Sequence, residues 1–222
     1  SVSSSALRSG SHTITAAVTD SAGKQVTTSI TVIVNASPTV TITAPIHGTV
    51  FSPGAAIGFS ATASDPEDGT ITSAIVWTSS LESGPLGSGG AISVSTLRSG
   101  THAITAAVTD TNGKRTTTQI TVVVNAAPTV AISAPATGAT YEHGAAVTCT
   151  ATANDTENGN LSSAITWTSS LNGSLGSGPT LTTSGLNSGT HTLTATITDA
   201  GGRTATASVT VVVNSDRKSV VD

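Results

Sequence analysis

The sequence predicts an all-β protein built from tandem two-sheet sandwiches. Three observations carry that prediction. Apolar and polar residues alternate with period two in run after run, turn residues separate the runs, and the whole pattern returns after about 90 residues.

The repeat is read directly from the chain. LRSGSHTITAAVTD begins at Leu7, LRSGTHAITAAVTD at Leu97 and LNSGTHTLTATITD at Leu186. Pro38 and Pro128, Asp65 and Asp155, and Trp77 and Trp167 are each 90 residues apart. The third copy is one residue short, and the loss falls between LESGPLGSG at Leu81 and LNGSLGSG at Leu171. That is a Gly/Ser loop, where deletions are tolerated. Residues 1–35 match 91–125 and supply only the C-terminal strands of a repeat. Residues 36–125 and 126–214 are complete repeats, and 215–222 is a polar tail or linker. A sandwich domain takes about 100 residues, whereas solenoid repeats are far shorter, so the reading is beads on a string.

Within the first complete repeat the expected strands follow in order. TVTITAP is strand A, AIGFSATAS strand B and ITSAIVWTSS strand C. AISVSTL is strand E, HAITAAVTD strand F and TTTQITVVVN strand G. PIHG, DPEDG, ESGPLGSGG, RSG and TNGK punctuate them, and C and E are joined by the variable loop. No stretch has helical period. Trp77 and Trp167 fall in the apolar phase of strand C and are expected in the core. Residues 1–35 carry strands E, F and G without A, B or C, so they are expected not to fold alone. Either they end a longer chain, or strands from another subunit complete them and build a filament.

Composition narrows the function. Charged residues are 9% and the net charge is −4, which excludes a basic nucleic-acid footprint. No apolar run approaches the roughly 20 residues of a membrane span. Aromatics are 2%, so the cores rest on Val, Ile, Leu and Ala and are thin. The single cysteine, Cys149, forms no intrachain disulfide and is expected to be buried and inert. A Thr/Ser-rich exterior without disulfides suits a bacterial secreted or surface protein.

Several of these residues resemble an immunoglobulin-type domain. Such domains place a buried Trp on strand C, as Trp77 and Trp167 are placed here. Cys149 lies mid-strand B, near the usual disulfide position, with Phe59 as its counterpart and Ala195 at the partner position. His12, His102 and His191 stand at the start of strand F, where a tyrosine corner is often found. A neutral imidazole can take over the Tyr role by bonding a backbone carbonyl. The chain as a whole resembles PKD-like and bacterial Ig-like extracellular repeats. The shared pattern is N-x-x-P-x-V, then D-x-E-[DN]-G, then the strand C Trp, then G-x-H-x-[IL]-T-x-x-[VI]-T-D. The resemblance implies spacers, stalks and accessory modules of secreted enzymes, adhesins and surface fibres. It also implies calcium held by the acidic loops.

Those loops are the one chemical constellation. Asp65, Glu67 and Asp68 crowd the turn after strand B, Asp110 ends strand F, and Asn35 precedes strand A. Alternating strand directions bring all five to the N-terminal pole. Hard cations take six to eight oxygens, and grouped carboxylates repel one another without one. The second set is Asn125, Asp155, Glu157, Asn158 and Asp199, expected to bind calcium more weakly because Asn158 replaces a carboxylate. The bland alternative is that Asp and Gly are simply good turn residues.

Catalytic motifs are missing: there is no GxSxG, HExxH or phosphate loop in the sequence. The His residues lie a domain apart and cannot share a metal. Two readings follow. One is a structural stalk or fibre segment, partnered by neighbouring Ig-like domains or other subunits. The other is an accessory module, an adhesin tip or a carbohydrate-binding domain on a secreted enzyme. An exposed aromatic row favours the second, a featureless Thr surface the first.

Overall fold

A computed structural model describes residues 3–215. The predicted tail, 215–222, lies outside the described residues beyond Ser215. The chain divides into two compact units, Ser1–Val123 and Val124–Asp222.

The first unit opens with a hairpin, β1 (Gly10–Thr19) and β2 (Gln25–Val34), paired antiparallel in a sheet of two strands. A complete sandwich follows: β3 (Thr39–Ala44), β4 (Thr49–Phe51), β5 (Ile57–Asp65), β6 (Gly69–Thr70), β7 (Val76–Ser79), β8 (Pro85–Ser88), β9 (Ala91–Val94), β10 (Gly100–Thr109) and β11 (Arg115–Val124). One sheet runs β4-β11-β10-β7-β8. In the other, β5 pairs β3, β6 and β9. The second unit repeats the arrangement with β12 (Thr129–Ala134), β13 (Ala139–Tyr141), β14 (Val147–Asp155), β15 (Gly159–Asn160), β16 (Thr166–Ser169), β17 (Gly173–Ser177), β18 (Thr180–Thr183), β19 (Gly189–Thr198) and β20 (Thr204–Val213). Its sheets are β13-β20-β19-β16-β17 and β12-β14-β15, with β18 also on β14.

The alternation that predicted strands is the alternation of burial. Along β5, Ile57, Phe59, Ala61, Ala63 and Asp65 point inward and are buried, with more exposed residues between them. β14 places Val147, Cys149, Ala151, Ala153 and Asp155 the same way. Trp77 and Trp167 are fully buried, as expected for strand C of an immunoglobulin-like sandwich. Each indole Nε1–H donates to a glycine carbonyl, Trp77 to Gly89 at 2.9 Å and Trp167 to Gly178 at 3.0 Å. Those glycines also donate N–H to Ile75 O and Ile165 O, with φ of 101° and 111°. That left-handed conformation strains any residue with a Cβ.

Three elements differ from the sequence reading. The variable loop between C and E contains a strand, β8 or β17, that pairs with β7 or β16. Its Gly/Ser composition hides it, since no alternation survives. Strands β4 and β13 were also not expected. Each is only three residues long, and β13 lies parallel on β20. The expected start of strand C, Thr72–Ala74, is instead a 3-10 turn. There Thr72 Oγ1 donates to Ala63 O and accepts from Ala63 N–H, so a hydroxyl replaces the strand ladder. Ser162 does the same at Ala153.

The hairpin has no opposing sheet among the described residues. Ile14, Val18, Val26 and Ile30 are 42%, 68%, 63% and 63% exposed.

Candidate functional site

Both complete repeats gather their polar residues at the pole where the chain enters the sandwich. Local geometry starts with the turn after strand B. Asp65 Oδ1 accepts the N–H groups of Glu67 and Asp68 at 2.9 and 3.0 Å, closing a tight turn at Gly69 (φ 73°). Asp155 does the same for Glu157 and Asn158.

The turn after strand F is built alike. Asp110 Oδ1 accepts from Asn112 N–H and Lys114 N–H, and Asp199 Oδ1 accepts from Arg203 N–H. In the incomplete repeat Asp20 Oδ1 accepts from Ala22 and Lys24 at 2.9 Å each. One carboxylate oxygen therefore makes the turn, whether or not a sandwich surrounds it.

The second oxygen does something else. Asn35 Nδ2–H donates to Asp110 Oδ2 at 2.9 Å, and Asn125 Nδ2–H donates to Asp199 Oδ2 at 3.0 Å. The next residue joins in: Ala36 N–H donates to Glu67 Oε2 and Ala126 N–H to Glu157 Oε2, both at 2.9 Å. In the first repeat Asn112 Nδ2–H donates to Asn35 Oδ1, and Lys114 Nζ donates to Asn35 O at 2.7 Å. Asp68 binds the strand F turn, accepting from Thr111 N–H and Oγ1–H. Its replacement, Asn158, accepts from Ala200 N–H at 3.3 Å. Gly201 occupies the place of Asn112; a Cβ there would lie 2.3 Å from the Asn125 amide. The segment leading into strand A is thus clamped to two loops by direct hydrogen bonds.

Burial raises the Asp110 pKa, but the hydrogen bonds from Asn35, Lys114, Asn112 and Gly113 outweigh it and hold the carboxyl below the usual aspartate range. A depressed folded-state pKa stabilises above the unfolded value and is lost as pH falls through the folded one. The first complete repeat is therefore expected to lose stability in acid below about pH 4. Thermal melts of wild type and Asp110→Asn across pH 2.5–6 (roughly the span of carboxylate titration) check this. The slope with pH should shrink in the variant.

All ten expected ligands, Asn35, Asp65, Glu67, Asp68, Asp110, Asn125, Asp155, Glu157, Asn158 and Asp199, lie at these poles. Most of their oxygens are already occupied by N–H and O–H donors. Among the described residues, no three His, Cys, Asp or Glu side chains approach closely enough to hold a metal ion. Among the described residues, four buried side-chain oxygens have no partner: Asp65 Oδ2 and Glu67 Oε1, and their equivalents Asp155 Oδ2 and Glu157 Oε1. Asp65 and Asp155 are 5% and 8% exposed. Each repeat thus leaves two oxygens without a donor, where a hard cation takes six to eight.

His102 and His191 are corner residues. His102 Nε2–H donates to Arg98 O and His191 Nε2–H to Asn187 O, each at 2.7 Å. The Nδ1 atoms then accept from Ser79 and Ser169 hydroxyls at 2.7 Å. Ser79 and Ser169 carry no sequence signal beyond their place after the Trp. Each Ser–His pair is buried, which keeps a substrate from the hydroxyl. Cys149 is also fully buried, and burial pushes its thiol pKa up.

No family model and no curated protein sequence matches the chain. Solved structures do match. The fibronectin(III)-like modules of Clostridium thermocellum CbhA are 21% identical, cover 81% of this chain and 96% of theirs, and give a TM-score of 0.40. The N-terminal four Ig domains of Dscam1 isoform 7.44 are 13% identical over 87% of this chain and 51% of theirs, with a TM-score of 0.50. Protocadherin Gamma B2 extracellular cadherin domains 1–5 are 16% identical over 93% of this chain and 46% of theirs, at 0.43. The fold is immunoglobulin-like. The chain spans about half the length of the Dscam1 and protocadherin chains it matches. Among the described residues, no helix is long and apolar enough to cross a membrane.

Proposed function

We propose that the chain is a non-enzymatic spacer segment of a secreted or surface-displayed bacterial protein. The observation that carries this reading is the clamp, built twice from the same atoms. Strand β11 ends at Val124, one residue before Asn125, so a bond from Asn125 to Asp199 restrains the chain where one repeat passes into the next. Asn35, one residue after Val34, is held to Asp110 in the same way. A short restrained junction limits bending, which is what a stalk needs. The surface supports the same reading. Of the five aromatic side chains, Trp77, Trp167 and Phe59 are buried and Phe51 and Tyr141 half-buried, so there is no aromatic platform for a sugar. Small-angle scattering tests the spacer. Asn35→Ala with Asn125→Ala should broaden the range of end-to-end distances; an unchanged profile overturns it.

A second reading adds calcium to the clamp, favoured by the four unpartnered buried oxygens. A buried carboxylate oxygen without a donor is costly, and a hard cation would satisfy Asp65 Oδ2 with Glu67 Oε1, and Asp155 Oδ2 with Glu157 Oε1. Asp68 and Asn158 are outside this pair, so the two repeats should bind alike rather than the second more weakly. Extracellular modules bind calcium at about 10⁻⁴–10⁻³ M. Tenfold above Kd the stabilisation is about 1.4 kcal/mol. Thermal melts over a calcium titration should show both repeats rising together, and Asp65→Asn with Asp155→Asn should abolish the rise. No rise up to several millimolar (about the weak end of that range) means that water fills the sites.

A further inference from the structure

Asn112, Asn158 and Asn172 each precede a glycine in the sequence. An asparagine in that position carries latent chemistry. The residue after it has no Cβ, so its backbone nitrogen closes on the side-chain amide without hindrance. The structure separates the three by what holds them. Asn112 Nδ2–H donates to Asn35 Oδ1 at 3.2 Å, and Gly113 N–H donates to Asp110 O at 3.2 Å. Asn172 is held at both ends of its amide: Nδ2–H donates to Gly185 O at 3.1 Å, and Oδ1 accepts from Asn187 N–H at 3.2 Å. Asn158 is held more weakly. Its Oδ1 accepts from Ala200 N–H at 3.3 Å, and its Nδ2 has no acceptor among the described residues. Asn158, Gly159 and Asn160 are all exposed, and β15 is two residues long and pairs with β14 alone. Exposed residues on so short a strand open locally at low cost.

We infer that Asn158 is a site of spontaneous deamidation. Gly159 N attacks Asn158 Cγ, giving its proton through solvent to the leaving group. The N–Cγ bond forms, Cγ–Nδ2 breaks, and Nδ2 leaves as ammonia. Water then opens the cyclic imide. Cleavage at Cγ gives aspartate, and cleavage at the backbone carbonyl gives isoaspartate. The net change is amide plus water to acid plus ammonia, with no oxidation or reduction. The products act differently on the pole. Aspartate places a carboxylate where Asp68 stands in the first repeat and makes the bond from Ala200 N–H charge-assisted. Isoaspartate inserts an extra carbon into the backbone between Glu157 and Gly159. The N–H groups of Glu157 and Asn158 both bind Asp155 Oδ1, so the longer turn pulls Glu157 Oε2 from Ala126 N–H and loosens the second clamp. The site does not rest on the spacer reading.

The test incubates the 222-residue chain at neutral pH and follows its peptides by mass spectrometry, with fragmentation that tells aspartate from isoaspartate. Asn158 is expected to convert about tenfold ahead of Asn112 and Asn172, the factor that side-chain hydrogen bonds of ordinary net strength supply. In concentrated urea the three should convert at similar rates, which makes the difference a property of the fold. In the aged chain the melt of residues 126–214 should fall while that of 36–125 holds. Asn158→Gln, aged alike, should stay unmodified at that position and keep both melts. Equal rates at the three sites in the folded chain, or Asn112 or Asn172 ahead, overturn the site. An aged chain that carries isoaspartate at 158 and melts as the fresh one overturns its effect on the clamp.

Discussion

Replacing Trp167 by Ala is expected to unfold the second complete repeat at temperatures where the first stays folded. Large-to-small changes of a buried Trp cost about 3–5 kcal/mol, and a domain has only about 5–15 kcal/mol in all. The indole is fully buried among Val147, Cys149, Ile165, Leu193 and Val211, mostly small side chains that cannot move far enough to fill the space. Its loss also removes the donor to Gly178 O, which ties the sheet to the end of β17. Trp77→Ala should fall at the lower end of the range. There Phe59, not a cysteine, faces the indole, with ring centroids 5.7 Å apart, and can relax into part of the cavity. The chain has two tryptophans, one per complete repeat, so each variant leaves a fluorescent reporter in the intact repeat. Urea unfolding followed by fluorescence and by circular dichroism separates the two repeats. If Trp167→Ala melts as wild type, the indole is not the keystone of this core.

The fold was legible because the residues that make it obey one rule. Alternation in IGFSATASD and VTCTATAND gives a buried face at every second residue, and the Trp fixes which strand is C. What escaped reading obeys other rules. Strand β17, GSLGS, pairs with β16 and packs a single apolar side chain, Leu175, against the core, so its sequence shows no alternation and looks like a loop. At the candidate site the acidic residues were legible as a group, but their division of labour was not. A sequence shows that Asp110 is near a turn; it does not show that Oδ1 makes the turn while Oδ2 holds Asn35. Donors supplied by Thr111, Asn112 and Lys114 were likewise hidden in the motif DTNGK, which reads as an ordinary turn. The carboxylates that should have repelled one another are instead largely satisfied by neutral donors, backbone N–H groups, a threonine hydroxyl and asparagine amides.

That division of labour predicts different costs for three changes at the second pole. Asp199→Ala removes both oxygens, the one that accepts from Arg203 N–H in the turn and the one that accepts from the Asn125 amide, which is 4% exposed. An unsatisfied buried donor costs about 1–3 kcal/mol, so the loss should be roughly 2–4 kcal/mol for the pair. Asp199→Asn keeps a carbonyl for the turn but turns an amide toward the Asn125 amide, so it should lose only the linker bond, about 1–2 kcal/mol. Asn125→Ala removes the other end of that bond and should cost a similar amount. The decisive quantity is the coupling between Asn125→Ala and Asp199→Asn in a double-mutant cycle. Residues sharing one hydrogen bond couple by about 0.5–3 kcal/mol, whereas independent ones add within about 0.5 kcal/mol. Asp20→Ala is the control: its Oδ1 makes the turn between β1 and β2, outside both complete repeats, so the melts of residues 36–125 and 126–214 should not move. Additive effects of Asn125→Ala and Asp199→Asn would mean that the chain enters the sandwich unanchored, and the clamp would be a turn and nothing more.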